Sequence, residues 1–174
     1  MTKNISESSY LNPSLLVETD NDKYLLSEPV TKKQMYQIML ALLEQEYFRT
    51  DQLTSPNATR EYLQVKLARY EHEVFCCIYL DTQHHVIGFE ELFRGTINAA
   101  SVYPREVVKS CLNNNAAAVL LCHNHPSGSP EPSIADEAIT KRLKDALALV
   151  DIVVLDHIIV AGSSSISFAE RGLI

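Results

Sequence analysis

The sequence predicts an α/β domain in which a mixed β-sheet is flanked by helices, preceded by an N-terminal appendage. The length of 174 residues suits one domain with such an appendage. Strongly β-favouring runs, of which Val74–Leu80 is the clearest, alternate with segments whose apolar residues recur at helical spacing. The resulting order, β-β-α-β-α-β-β, is typical of an α/β sandwich.

The N-terminal third of the chain is divided by its composition. Residues 1–28 are predicted to be a flexible tail, because they are polar and carry too little apolar surface to offset the entropy of ordering. Residues 29–51 form a predicted helix, which leaves a homodimer through this segment open. The main domain is predicted over 52–174 and begins with a helix, for which Ser55 is the N-cap and Pro56 the first residue.

The other elements of the domain follow from apolar runs and helix-start signals. Helices are predicted to begin at Pro104 and at Ser133. The second strand is predicted to pair antiparallel with the first. Strands are predicted over 74–80, 86–96, 116–122, 152–160 and 166–168.

The third strand leads into the segment that carries the most chemistry. It ends in His123 and His125, and because residues i and i+2 of an extended chain project to the same side, both imidazoles can face one point. A loop rich in Pro, Gly and Ser then delivers Ser133 and Asp136 at a helix start. Two imidazoles and a carboxylate leave a tetrahedral zinc ion one open position, as in catalytic sites. The spacing of Ser133 and Asp136 also matches a helix capping box, and both roles are compatible.

The pattern His-x-His, seven residues, Ser, two residues, Asp resembles the zinc motif of the JAMM (MPN-plus, or JAB) metallopeptidases. The wording His-Asn-His-Pro-Ser-Gly is similar to the RadC branch of that superfamily, as are segments 91–96, 104–108, 156–160 and 167–172. The resemblance covers residues 55–174 and implies a JAB/MPN-type α/β sandwich. The helix-hairpin-helix region of longer RadC proteins is not recognised, so a short form is expected.

The resemblance also implies the roles of individual residues. One Zn²⁺ per chain would be held by His123, His125 and Asp136, and Ser133 would hydrogen-bond the metal water or the developing oxyanion. The family places its catalytic glutamate just before the strand that precedes the motif, a position that Glu73 matches; this residue would accept the proton of the water. The alternative glutamates are Glu71, Glu90 and Glu91.

The net charge and the cysteine content of the chain bear on its partners and its cellular compartment. The net charge of −7 does not favour sequence-independent binding to nucleic acid. The four cysteines are not spaced as a disulfide framework, which predicts reduced core thiols in a cytoplasmic protein. Neither a signal peptide nor a membrane span is recognised. His157 is either a satisfied core histidine or a partner behind the zinc site.

The predicted function is a zinc-dependent hydrolase that cleaves an amide or isopeptide bond in a protein or peptide. The alternative is a non-enzymatic, zinc-containing interaction module linked to DNA repair or to a mobile element. An open fourth metal position beside Glu73 favours the enzyme, whereas a fourth protein ligand favours the module. Deubiquitination is not carried over, because Asn124 departs from the Ser or Thr commonest in eukaryotic deubiquitinating relatives.

Overall fold

The structure is a computed structural model that describes residues 16–19, 23–49, 56–67, 70–95 and 101–174. The chain divides into two compact units, Met1–Glu46 and Tyr47–Ile174. Within the described residues, no helix combines the length and the apolar character needed to cross a membrane.

The first unit contains regular structure that the sequence analysis did not predict. Strands β1 (Leu16–Thr19) and β2 (Lys23–Leu26) pair antiparallel, with Leu16 opposite Leu26. The composition of the whole segment hides this pair, because two short β-favouring runs lie among many polar residues. Residues 1–15 of the predicted tail lie outside the described residues, and the flexibility of the segment stays a prediction.

Helix α1 (Lys32–Arg49) follows where a helix was predicted. Its start is fixed by a reciprocal pair of hydrogen bonds between Thr31 and Gln34. The Gln34 N–H donates to Thr31 Oγ1 over 3.3 Å, and the Thr31 N–H donates to Gln34 Oε1 over 2.9 Å. These bonds satisfy backbone donors that the first turn of a helix leaves without an intrahelical partner.

The second unit has the predicted α/β architecture, with one five-stranded mixed sheet among its described residues. The strand order is β4-β3-β5-β6-β7, in which only β5 and β6 are parallel. Its elements are α2 (Pro56–Leu67), β3 (Val74–Leu80), β4 (Val86–Arg94), α3 (Pro104–Asn113), β5 (Ala118–Asn124), α4 (Ile134–Ala148), β6 (Val153–Ala161) and β7 (Ser164–Ser167).

Several strand boundaries differ from the prediction. Strand β5 begins and ends two residues later than predicted, β6 begins and ends one residue later, and β4 ends at Arg94, two residues before the predicted end. The last strand begins two residues earlier than predicted, at Ser164, because the turn before it is shorter than the serine run suggested. The predicted N-cap Ser55 lies outside the described residues.

The core lies on both faces of the central strands. Every residue of β3 and β5 is buried, which explains why both read as uninterrupted apolar runs. On one face, Leu121 belongs to a cluster that includes Leu143 and Leu147 of α4. All four cysteines are free and buried, in agreement with core thiols, and burial raises the pKa of Cys111 to about 12.

Candidate metal centre

The carboxyl end of β5 places two imidazoles on the face of the sheet that α4 covers. His123 is almost fully buried, at 1% exposure, and its ring stacks on Phe75 of β3 with centroids 6.1 Å apart. His125 lies just beyond the strand and stays extended, because its N–H donates to the Val160 carbonyl over 2.8 Å. The predicted i, i+2 relation therefore holds, and the two rings lie 4.8 Å apart.

The loop after His125 turns at once and leads back to α4. Gly128 has a φ of 83°, in the left-handed region that glycine adopts without strain, and its N–H donates to the His125 carbonyl over 3.1 Å. Farther along the loop, Glu131 accepts two hydrogen bonds from the Arg171 guanidinium, over 2.7 and 3.0 Å. This bidentate pair lowers the pKa of Glu131 and ties the loop to the C-terminal segment.

The start of α4 fixes the carboxylate of the site through a capping box. The Ser133 hydroxyl accepts from the Asp136 N–H over 3.1 Å, and Asp136 Oδ2 accepts from the Ser133 N–H over 2.7 Å. The Ser133 hydroxyl also donates to Asp136 Oδ2 over 2.6 Å. The cap predicted from the sequence is therefore present, and it holds Asp136 in one orientation.

Three side chains converge at this point. His123 Nε2 and His125 Nε2 are 2.9 Å apart, and carboxylate oxygens of Asp136 lie 3.4 Å from the first and 3.5 Å from the second. Ligands of a tetrahedral zinc ion, bound at about 2.0–2.1 Å, are about 3.3 Å from each other. The two contacts are made by different oxygens, Oδ1 toward His123 and Oδ2 toward His125, and one ligand atom from each residue lies within 4.8 Å of the other two, so the three groups could hold a metal ion after a local adjustment. Among the described residues, this group of candidate ligands has three members.

The hydrogen bond behind His125 leaves its inner nitrogen available to a metal. His125 Nδ1 is 2.8 Å from the Ser129 carbonyl oxygen, which can only accept, so Nδ1 carries the proton. A neutral His125 then presents a lone pair at Nε2. That nitrogen lies 2.9 Å from His123 Nε2, so a cation held here would contact both rings.

The pKa shifts of the three side chains follow from their burial and from one another's charges. Burial lowers the pKa of His123 to about 4, so this ring stays neutral. The hydrogen bond to Asp136 raises the pKa of His125, and the negative charge of Glu73 adds to this effect. Burial alone would raise the pKa of Asp136, but its contacts with His125, His123 and Ser133 outweigh that effect and hold it below the usual range.

Two polar residues lie behind His123; the role of His157 was left open by the sequence, and Thr140 was not predicted to belong to the site. His157 Nε2 is 2.8 Å from His123 Nδ1, and His157 Nδ1 is 2.6 Å from Thr140 Oγ1. Both His157 and Thr140 are buried. Of the two alternatives left open for His157, this contact favours a partner of the metal site. The feature that could have identified Thr140 is its position: it is a polar residue one helical turn after Asp136, on the core side of α4.

The proposed base, Glu73, lies at the entrance to β3 and is held by its backbone. The side chain of Asn124 accepts from the Val74 N–H over 2.8 Å and donates to the His72 carbonyl over 3.0 Å. The Glu73 carbonyl accepts from the Gly95 N–H over 2.8 Å. The negative charge of Glu73 is one of the causes that raise the pKa of His125. This role of Asn124 was not predicted from the sequence.

The alternative glutamates have different surroundings. Glu90 accepts from the Tyr79 hydroxyl over 2.8 Å and also from the Ser110 hydroxyl. Glu91 accepts from the Tyr70 hydroxyl, and Glu71 is exposed. Glu73, in contrast, is among the charges that raise the pKa of His125.

Comparison with known proteins gives consistent matches over the second unit. The model of the RadC-like JAB domain family matches residues 53–173. A UPF0758 protein of Vibrio cholerae serotype O1 is 59% identical over 150 residues, which are 86% of this chain and 94% of that protein. A UPF0758 protein of Thioalkalivibrio sulfidiphilus is 62% identical over 132 residues, 76% of this chain but 59% of that protein. One of Methylibium petroleiphilum is 63% identical over 126 residues, 72% of this chain and 57% of that protein.

The chain thus spans little more than half the length of two of these relatives. The family match, in contrast, covers well over half of this chain and contains Glu73, Ser133 and the three converging side chains. The resemblance seen in the sequence is confirmed, together with the fold class that it implied. The chain belongs to the RadC-like JAB domain family.

Proposed function

We propose that this protein is a zinc-dependent hydrolase of the JAMM type that cleaves an amide or isopeptide bond in a protein or peptide. The observation that carries the proposal is the convergence of His123, His125 and Asp136. Three protein ligands leave a tetrahedral zinc ion one open position, whereas a structural zinc site has four. The open position favours an enzyme over an interaction module.

Zinc would be held by the Nε2 atoms of the two histidines and by the Asp136 carboxylate. Bound there, it would polarise the substrate carbonyl and lower the pKa of a water molecule to about 7. Glu73 would take the proton of the attacking water and pass it to the leaving amine, so that the proton lost by the nucleophile completes the product. General-base help of this kind typically accelerates a reaction by about 10²–10⁴-fold.

Ser133 would stabilise the oxyanion that forms when water adds to the carbonyl carbon. Its hydroxyl accepts from the Asp136 N–H while its own hydrogen points to Asp136 Oδ2. A hydroxyl hydrogen rotates to suit its surroundings. Turning it from Asp136 to the oxyanion would keep the helix cap and add a donor where charge develops.

The experiment combines zinc analysis with a search for hydrolysis. The purified chain would be incubated with a peptide library, and the products identified by mass spectrometry. Glu73→Gln should keep its zinc and lose at least about 10²-fold in turnover. Glu71→Gln is the matched control, because it makes the same change two residues away at an exposed position.

The outcomes separate the two functions. Zinc in the wild type, with turnover that Glu73→Gln loses and Glu71→Gln keeps, supports the hydrolase. Equal turnover in both variants would contradict the role of Glu73. Loss of zinc from Glu73→Gln would make Glu73 a fourth ligand, and that closed site would favour the interaction module.

A further inference from the structure

We infer that Thr140 and His157 are positioning residues, which fix the tautomer of His123 so that its Nε2 presents a lone pair to the metal. The inference rests on the proposed zinc site and extends it to two residues that do not touch the metal. It follows from a chain of hydrogen bonds in which the direction of every bond is set by the one before it.

The chain begins at a group that can only accept. Thr140 Oγ1 lies 2.5 Å from the backbone carbonyl oxygen of Asp136, one turn earlier in α4. A carbonyl has no hydrogen, so the hydroxyl must donate in this bond. The Thr140 oxygen then has only lone pairs to offer to its second partner, His157.

The next two bonds follow by elimination. His157 Nδ1, 2.6 Å from Thr140 Oγ1, must donate to it. A neutral imidazole has one N–H, so His157 Nε2 is an acceptor. His123 Nδ1, 2.8 Å from that nitrogen, must therefore carry the hydrogen. The Nε2 of His123 is left with a lone pair, on the side where His125 and Asp136 converge.

The surroundings leave His157 little choice of another partner. Its side chain is fully buried, and its ring contacts the aromatic rings of Phe168 and Phe75, with centroids 4.8 and 5.5 Å away. The chain of bonds starts at the backbone of one proposed ligand, Asp136, and ends at another, His123. It thus joins α4 to β5 through β6, and it fixes both the ring orientation and the proton position of His123.

The arrangement has a consequence for metal binding. If the Thr140 hydroxyl is removed, His157 Nδ1–H loses its hydrogen-bond acceptor, and nothing holds the proton on that nitrogen. His157 can then carry its proton on Nε2 and donate to His123, which places the His123 proton on the ligand atom. In that tautomer His123 cannot bind a metal. Loss of a hydrogen-bond partner behind a metal ligand typically weakens metal affinity by about 10–100-fold.

The test uses two substitutions at one buried position of the full chain. Thr140→Val keeps the shape of the side chain and removes the hydroxyl, whereas Thr140→Ser keeps the hydroxyl and removes a methyl group. Zinc affinity would be measured by competition with a chromophoric chelator. Histidine tautomers in the metal-free protein would be read from ¹⁵N chemical shifts of the imidazoles, at about pH 8, above the ordinary histidine pKa of about 6.5.

The wild type should show His123 and His157 as Nδ1–H tautomers. Thr140→Val should shift both toward Nε2–H and raise the zinc dissociation constant by about 10–100-fold, while Thr140→Ser stays close to the wild type. Unchanged tautomers in Thr140→Val would overturn the inference, as would equal losses in the two variants, which would point to packing. If the wild type bound no zinc, the proposed function would fail, and the tautomers would still decide the inference.

Discussion

Replacing Asn124 with alanine should destabilise the domain far more than an ordinary asparagine substitution. The Asn124 side chain bridges β5 to the residues on both sides of Glu73, over 2.8 Å to the Val74 N–H and 3.0 Å to the His72 carbonyl. The backbone ladder between β3 and β5 begins one residue later, at the pair of Phe75 and His123. The carboxamide therefore continues the ladder where backbone pairing stops.

The magnitude follows from what the substitution leaves without a partner. The Val74 N–H lies in a buried bond, and a buried donor without a partner costs about 1–3 kcal/mol. The His72 carbonyl is partly buried, so water can replace some of its loss, and about 0.5–1.5 kcal/mol is expected. Asn124→Ala should thus lower the free energy of unfolding by about 1.5–4.5 kcal/mol.

Urea unfolding of the metal-free protein, followed by circular dichroism, measures this change without a substrate. Asn114→Ala is the matched control, because the side chain of Asn114, the residue after α3, makes one partly buried hydrogen bond, over 3.0 Å, to the Ser110 carbonyl of that helix. It should cost about 0.5–1.5 kcal/mol. Equal losses in the two variants would refute the reasoning. In an assay of hydrolysis, Asn124→Ala should lose more turnover than zinc, because it loosens Glu73 and leaves the three ligands in place.

Three further predictions concern the centre itself. Elemental analysis should find about one zinc per chain, and His123→Ala and Asp136→Ala should each lose it; full zinc in both would contradict the ligand set. Ser133→Ala should lower the free energy of unfolding by about 0.5–2 kcal/mol in the same urea assay, because α4 loses its cap. Ser133→Thr keeps a capping hydroxyl and should therefore stay close to the wild type. His123 contributes stability to the metal-free protein as a neutral ring, because its folded pKa of about 4 lies below the ordinary value of about 6.5. That contribution should be complete above about pH 6.5 and disappear as the pH falls to about 4 in urea titrations, and His123→Gln should flatten this part of the profile.

The parts of the centre that could be predicted from the sequence are those set by local geometry. His123 and His125 are two residues apart at the end of an extended run, so their common direction follows from the strand period alone. Ser133 and Asp136 are related by the first turn of a helix, and the capping box is equally local. The strands of the sheet could be predicted for a similar reason, since the buried strands are runs of β-favouring residues.

The parts of the centre that could not be predicted depend on how distant strands and helices are aligned with one another. His157 pairs with Leu121 across the parallel strands β5 and β6, which puts its side chain on the same face as His123. A slip of one residue would have turned it to the other face. Thr140 and Asn124 likewise act across distant segments, the second over 50 positions of the chain. The strand pair of the first unit was missed for another reason, because short apolar runs do not stand out in a polar segment.

Removal of zinc should leave the domain folded, which distinguishes this centre from a structural zinc module. Each candidate ligand is oriented by a partner of its own: His123 by His157, His125 by the Ser129 carbonyl, and Asp136 by the cap of α4. A structural zinc module loses its fold with the metal, because its ligands are not held otherwise. Chelator-treated protein should therefore keep its circular dichroism spectrum and a cooperative urea transition. Zinc should raise the midpoint only by the mass action of a ligand that binds the folded state. Unfolding on chelation alone would contradict this argument and favour the structural module.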